Sequence, residues 1–132
     1  MKTFLALLAA AVLAAGCHNG GINQNSTDMR ALNAVIDAEP LDVLVDGDEK
    51  FAAVAPDNAT SYANFSSGSR EVVVRSGTNQ AVLYDKSVNF ASDSRGTLLV
   101  YGHRNAVATL LLADDTATPS SGKTRVRFAG LA

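Results

Sequence analysis

Two kinds of hydrophobic pattern divide the chain. From Phe4 to Ala15 every residue is apolar, and Lys2 is the only charge in this part of the sequence. The run has the length of a signal-peptide core and is too short to cross a bilayer as a permanent helix. Further along, apolar and polar residues alternate with a period of two, which is typical of half-buried strands. The patterns predict a targeting segment followed by a β domain.

Short segments with the period-two alternation occur at residues 41–46, 70–74 and 125–128. Residues 98–101 and 107–112 are apolar almost throughout, as expected where a strand crosses the middle of a sandwich. Turn-forming residues separate the segments at fairly even spacing, at 46–48, 66–68, 76–79, 94–96, 102–105 and 119–122. We therefore expect an all-β fold, an antiparallel immunoglobulin-like or transthyretin-like β-sandwich of about seven to nine short strands, behind a signal-peptide helix.

Eight aliphatic residues of these segments are predicted to be mostly buried, because they occupy strand positions that face a core. They are Val43, Val45, Val72, Val74, Leu98, Val100, Leu110 and Val126. Tryptophan is absent and aromatic residues are few, so such a core must consist mainly of Val, Leu and Ala with a few Phe and Tyr.

The apolar run at the start of the chain ends in Leu13-Ala14-Ala15-Gly16-Cys17. This motif resembles the lipobox of bacterial lipoproteins, and the resemblance implies cleavage between Gly16 and Cys17 with lipid on the Cys17 sulfur and the new amino terminus. Cys17 is the only cysteine, so an exported chain offers it no disulfide partner. Several acyl chains together would anchor the protein stably. The alternative is an ordinary secretory peptide with a stray cysteine.

Four later stretches carry a second resemblance. They are Arg30 to Gly47, which ends in Asp42-Val43-Leu44-Val45-Asp46-Gly47, then Tyr62-x-x-Phe65-x-x-Gly68, Thr97-Leu-Leu-Val-Tyr-Gly102 and Leu110-Leu-Leu-Ala-Asp-Asp115. In order and spacing they resemble the bacterial domain-of-unknown-function family numbered 4397. Val35-Ile36 departs from the Ser-Pro that this family usually carries. The resemblance implies a β-sandwich of exported or envelope proteins, often in tandem copies, without an established activity.

These observations divide the chain into four segments. Residues 1–16 are the predicted signal peptide, and residues 17–28 are the lipidated cysteine with a flexible, polar tether. Residues 29–122 are the predicted sandwich, and residues 123–132 are either its closing strand or the start of a second, truncated copy. His18 is not the aspartate that favours inner-membrane retention in enteric bacteria. We therefore expect a place in the cell envelope, at the outer membrane facing the periplasm or the surface.

The charge balance limits the classes of partner. Without Lys2, ten of the eleven basic side chains remain against thirteen acidic ones, and they are scattered along the chain. A mildly acidic protein of this kind is not expected to bind nucleic acid. The expected partners are the membrane, through the lipid anchor, and a protein or polymer of the envelope.

Histidine limits the catalytic possibilities. Besides His18 in the tether, the chain contains only His103, within Gly102-His103-Arg104-Asn105. That stretch separates two apolar segments, so a solvated histidine at a hairpin tip is expected rather than a catalytic base. No Gly-x-Ser-x-Gly nucleophile motif accompanies it. One histidine without a cysteine also argues against a transition-metal site in the domain.

Carboxylates are more numerous near the first two strands, at Asp37, Glu39, Asp42, Asp46, Asp48 and Glu49. Oxygen-rich clusters can hold calcium, but the spacing is not that of an EF-hand loop. Asp46-Gly47-Asp48 favours a tight hairpin turn instead. Asp114-Asp115 is expected to be a solvated turn after a strand.

Two functions from different classes remain open. The predicted function is a noncatalytic envelope interaction module, with no enzyme activity, cofactor or metal. The alternative is a calcium-dependent binder or a hydrolase that uses the acidic first hairpin or His103. It requires several carboxylate oxygens, or a histidine, an acid and a nucleophile, to converge on one concavity.

Overall fold

The computed structural model describes residues 25–37, 39–114 and 117–131. These residues form eight strands: β1 (Ser26–Ile36), β2 (Leu41–Val45), β3 (Asp48–Val54), β4 (Ala63–Ser66), β5 (Gly68–Ser76), β6 (Val82–Phe90), β7 (Ser94–His103) and β8 (Ala106–Ala113). Within the described part of the chain, no helix is long and apolar enough to span a bilayer. The predicted signal helix, the cleavage site at Gly16 and the lipidation site at Cys17 lie outside the described residues.

The strands form two four-stranded sheets, which confirms the all-β sandwich. The first sheet has the order β4-β1-β7-β8 and the second has the order β3-β2-β5-β6. All pairs are antiparallel except β1 with β7, which run parallel over ten residue pairs from Thr27–Ser94 to Ile36–His103. The sandwich was predicted as antiparallel, and β1 with β7 is the parallel exception among the described strands. Parallel neighbours need a long crossover, and here the intervening strands β2 to β6 supply it.

The fold begins slightly earlier than predicted. Ser26, Thr27 and Asp28 belong to β1, although the predicted tether extends to residue 28. Thr27 is buried and shares a hydrogen bond of 2.9 Å with the Ser94 hydroxyl, so its polar side chain is satisfied inside the sheet. The polar composition therefore concealed the start of a strand, in which the Thr27 hydroxyl has its partner on β7.

Two predicted hairpins are confirmed by backbone geometry. Asp46 and Gly47 connect β2 to β3 with φ values of 52° and 84°. Both values lie in the left-handed region, which is the requirement of the tight hairpin turns that suit twisted strands. Arg104 and Asn105 connect β7 to β8, and they place His103 at the end of β7.

The core between the sheets consists of alternate side chains from both. Six of the eight predicted core residues are buried there: Val43, Val45, Val72, Val74, Leu98 and Val100. The prediction is wrong for Leu110 and Val126, which are 40% and 66% exposed. Leu110 pairs with Leu99 on the opposite face of the first sheet, away from this core. Burial of an apolar strand residue thus depends on which sheet face it occupies.

Val126 is exposed because residues 123–131 form no strand in either sheet. The closing-strand alternative is therefore wrong in this structure. The start of a second copy stays a prediction. Instead, Arg127 of this segment contacts Ala113, at the end of β8, and Asp114, which follows it.

Candidate binding site on the outer face of the first sheet

The first sheet has a second apolar face, directed away from the core. Leu98 and Val100 of β7 point into the core, so Leu99 between them points outward. Leu99 pairs with Leu32 of β1 on one side and Leu110 of β8 on the other. Leu99 is nevertheless only 2% exposed. Something outside the core must cover it.

Residues 117–131, here called the covering segment, lie across this face. Between this segment and the outer face lies a cleft of about 760 Å³. Its aliphatic lining comes from three strands and from the segment: Leu32, Ala34, Leu99, Leu112, Ala129 and Leu131. The cleft is within the range of about 300–1,000 Å³ that is usual for small-molecule sites.

A carboxylate with several donors lies at one end of the cleft. Oδ2 of Asp114 accepts hydrogen bonds from the Tyr62 hydroxyl (2.7 Å) and from the Thr97 hydroxyl (2.8 Å). Nε of Arg30 donates to the Thr97 hydroxyl oxygen (2.9 Å) and lies 3.6 Å from the same carboxylate oxygen. The side chain of Asp114 is only 17% exposed, so this network is partly shielded from water.

Arg127 connects the covering segment to this network. Its Nη1 atom lies 3.6 Å from Oδ1 of Asp114, and its Nη2 atom donates to the carbonyl oxygen of Ala113. One guanidinium thus contacts both the end of β8 and the residue that follows it. These contacts hold the covering segment over the sheet.

Two further guanidinium contacts involve the ring of Tyr62. The Arg95 guanidinium carbon lies 3.8 Å from the ring centroid, and that of Arg30 lies 5.2 Å away. Guanidinium groups within about 6 Å of an aromatic ring are attracted to its face. The Tyr62 ring is therefore already covered by cations, and its hydroxyl is directed to Asp114.

The network changes the acidity of its members. Burial alone would raise the pKa of Asp114, but hydrogen bonds from Tyr62 and Thr97 and the charges of Arg30 and Arg127 outweigh it and lower this pKa below its usual value. Burial, followed by the hydrogen bond to Asp114, raises the pKa of Tyr62. Near neutral pH, Asp114 is therefore ionised and Tyr62 is protonated.

The prediction of a solvated turn is wrong at Asp114, and Asp115 lies outside the described residues. The network joins Arg30, Tyr62, Thr97 and Asp114, which lie in four different strands or loops. Each of these residues belongs to one of the four stretches that carry the family resemblance. That shared membership was the signal available in the sequence, but no single stretch indicates that the residues meet.

Asp114→Asn should lower the free energy of unfolding by about 1–2 kcal/mol at pH 7, since it removes a charge that accepts several hydrogen bonds. Because folding lowers the pKa of Asp114, its stabilisation is complete above the usual value of 3.8 and is lost as pH falls through the folded-state value. Urea denaturation at pH 7 and pH 3 should show the difference between the two proteins shrinking at low pH.

Asp48→Asn is the matched control, because Asp48 is exposed and pairs only with Lys50 among the described contacts. It should change the stability by less than about 0.5 kcal/mol. Equal effects of the two variants at pH 7 would contradict the role given to Asp114.

The other predicted site residues lie apart from the cleft. His103 is exposed, as predicted, and its Nδ1 atom lies 3.6 Å from Oδ2 of Asp37. The Ser76 hydroxyl donates to Glu39 (2.5 Å) rather than to His103. Glu39 also pairs with Arg104 at 2.7 Å, and the Ser76 hydrogen bond is the main cause that lowers the pKa of Glu39. His103 and Glu39 thus belong to two separate groups, one with Asp37 and one with Ser76 and Arg104.

The remaining acidic residues also have separate neighbours. Asp42 accepts hydrogen bonds from the Ala53 amide (2.8 Å) and from Gln80 (2.9 Å), while Asp46 accepts one from Arg70 (3.2 Å). Glu49 lies exposed in β3. Within residues 25–37, 39–114 and 117–131, no three His, Cys, Asp or Glu side chains group in a way that could hold a metal ion. The described carboxylates of this region therefore have separate neighbours rather than a common site.

Comparison with known proteins supports the domain as a unit. A family model described as a domain of unknown function, DUF4397, matches residues 27–132. The match extends from the second residue of β1 through the covering segment, and it confirms the resemblance of the four stretches. A search of curated proteins gave no match.

Proposed function

Since the chain belongs to DUF4397, a family of domains of unknown function, we propose that it is an envelope lipoprotein whose sandwich is a noncatalytic binding module. The observation that carries the binding role is the apolar outer face of the first sheet. An apolar cleft on the outside of a sandwich that already has its own core is a candidate ligand site. The cleft of about 760 Å³ gives that face a defined shape.

The acid–base state of the cleft supports a noncatalytic role. A general acid or base works best when its pKa lies near the operating pH. The pKa of Asp114 is lowered and that of Tyr62 is raised, so both move away from neutrality. Their hydrogen bonds connect the strands, and the ion pair of Asp114 with Arg127 connects them to the covering segment. The ligand would be a protein or polymer of the envelope, or a smaller molecule found there.

The anchor is supported by the sequence before the domain. Leu13 to Cys17 resembles a lipobox, and the residue after the cysteine is His18. The polar residues that follow would separate the sandwich from the bilayer surface. We propose that the mature protein is held at the outer membrane by lipid on Cys17.

Membrane fractionation tests the proposed lipid anchor. The wild-type chain, produced in a Gram-negative host, should sediment with membranes and remain there after washing with high salt or alkaline carbonate. Detergent should release it, because acyl chains rather than surface charges hold it. On a sucrose gradient it should follow an outer-membrane marker. Recovery of the processed protein in the soluble periplasmic fraction would refute the anchor.

A further inference from the structure

We propose that the cleft binds a single-chain amphiphile with an acidic head group, such as a long-chain fatty acid. The acyl chain would lie on the outer face of the first sheet, beneath the covering segment. The head group would lie among the basic side chains at the edge of the cleft. This inference rests on the proposed binding function and names its ligand class, but it does not depend on the lipid anchor.

The floor of the cleft selects for an aliphatic ligand. Leu32 and Leu112, both half-buried, provide it from β1 and β8, and Ala129 and Leu131 face it from the covering segment. Removing an alkyl chain from water onto such a surface is favourable in proportion to the apolar area covered. Leu110 is 40% exposed on the same face, so the apolar surface continues past the cleft.

The aromatic content of the lining argues against a ring-shaped ligand. Tyr62 is the one aromatic residue among the described lining residues. Its ring face is already covered by the guanidinium groups of Arg95 and Arg30. A nucleobase or a sugar ring would need a free aromatic surface for stacking, whereas an acyl chain needs only aliphatic contact.

The charge of the lining selects for an acidic head group. Four basic side chains line the cleft, from Arg30, Lys123, Arg125 and Arg127, and the one described carboxylate in the lining is Asp114. The complete chain has the opposite balance, with eleven basic and thirteen acidic side chains. This concentration of positive charge beside an apolar floor is complementary to an anion that carries a hydrocarbon chain.

Binding can be measured with cis-parinaric acid, a fluorescent long-chain fatty acid, and its methyl ester. The protein should be residues 17–132 with Cys17→Ser, which keeps all eight strands and removes the chain's own lipid. The acid should bind saturably, and hexadecanoate should displace it. The methyl ester should bind about tenfold more weakly, because it lacks the negative charge.

Two pairs of variants separate the contribution of charge from that of the apolar floor. Lys123→Ser with Arg125→Ser should weaken binding of the acid about tenfold without weakening the ester. Arg75→Ser with Arg104→Ser, which removes two basic side chains outside the cleft lining, should change neither.

Leu112→Asp should weaken binding of both ligands, because it places a charge in the apolar floor. Val82→Asp, on an exposed position of β6, should leave both unchanged. Circular dichroism should confirm that each variant keeps its strands.

Three results would overturn the proposal: no saturable binding of the acid, equal affinity for acid and ester, or binding only to phosphatidylglycerol vesicles and not to the free acid. The last result would assign the basic side chains to a membrane surface. None of these results affects membrane fractionation of the wild-type chain, so failure of the ligand and failure of the anchor remain distinguishable.

Discussion

Changing Cys17 to serine should abolish lipid labelling and leave the chain at its precursor length. A serine hydroxyl cannot form the thioether that links the lipid to the protein, and the lipoprotein signal peptidase requires that modified residue. Cells grown with labelled palmitate should therefore show a labelled, shortened wild-type protein and an unlabelled, longer variant. Cys17 is the only cysteine in the chain, so no other thiol can substitute for it.

His18→Ala is the control for this prediction, because it changes the neighbouring residue and keeps the thiol. It should be labelled and processed like the wild-type chain. Labelled palmitate on the Cys17→Ser variant would refute the assignment of the lipidation site.

Phe90→Ala should lower the free energy of unfolding by about 3–5 kcal/mol. Phe90 is 1% exposed at the end of β6, and its ring meets that of Phe65 on β4 edge to face, with centroids 5.1 Å apart. The pair therefore joins the two sheets across the core. Truncation removes that contact and leaves a cavity. Since small domains are stable by only about 5–15 kcal/mol, the loss should be a large part of the total.

Equilibrium urea denaturation followed by circular dichroism measures this loss. Phe128→Ala is the matched control, since Phe128 is 92% exposed in the covering segment. It should change stability by less than about 0.5 kcal/mol. A comparable loss from both variants would show that Phe90 is not a special core contact.

Local sequence patterns were sufficient to predict the strands and some of the turns. Val43 and Val45 alternate with polar or outward-facing neighbours, and both are buried as the period of two predicted. Asp46-Gly47 is a hairpin because its residues tolerate positive φ, which is a property of the dipeptide itself. Such features depend on residues a few positions apart, so the linear sequence contains them.

Local patterns do not predict which distant strands become neighbours. Leu98 and Leu110 are both apolar residues of apolar strands, yet one lies in the core and the other on the outer face. The parallel pairing of β1 with β7 joins residues 67 positions apart, as in the hydrogen bond between Thr27 and Ser94. No local pattern specifies such a neighbour.

The sequence by itself therefore determined a small all-β domain, its family and most of its core, because strand periodicity, turn stereochemistry and ordered motifs are local properties. Only the tertiary structure decided the site. Asp114 becomes a shielded, ionised centre because folding brings it to Tyr62, which is 52 positions away, and to Thr97, which is 17 away. The apolar outer face likewise exists only once β1, β7 and β8 are neighbours, since each strand alone contributes one or two of its side chains.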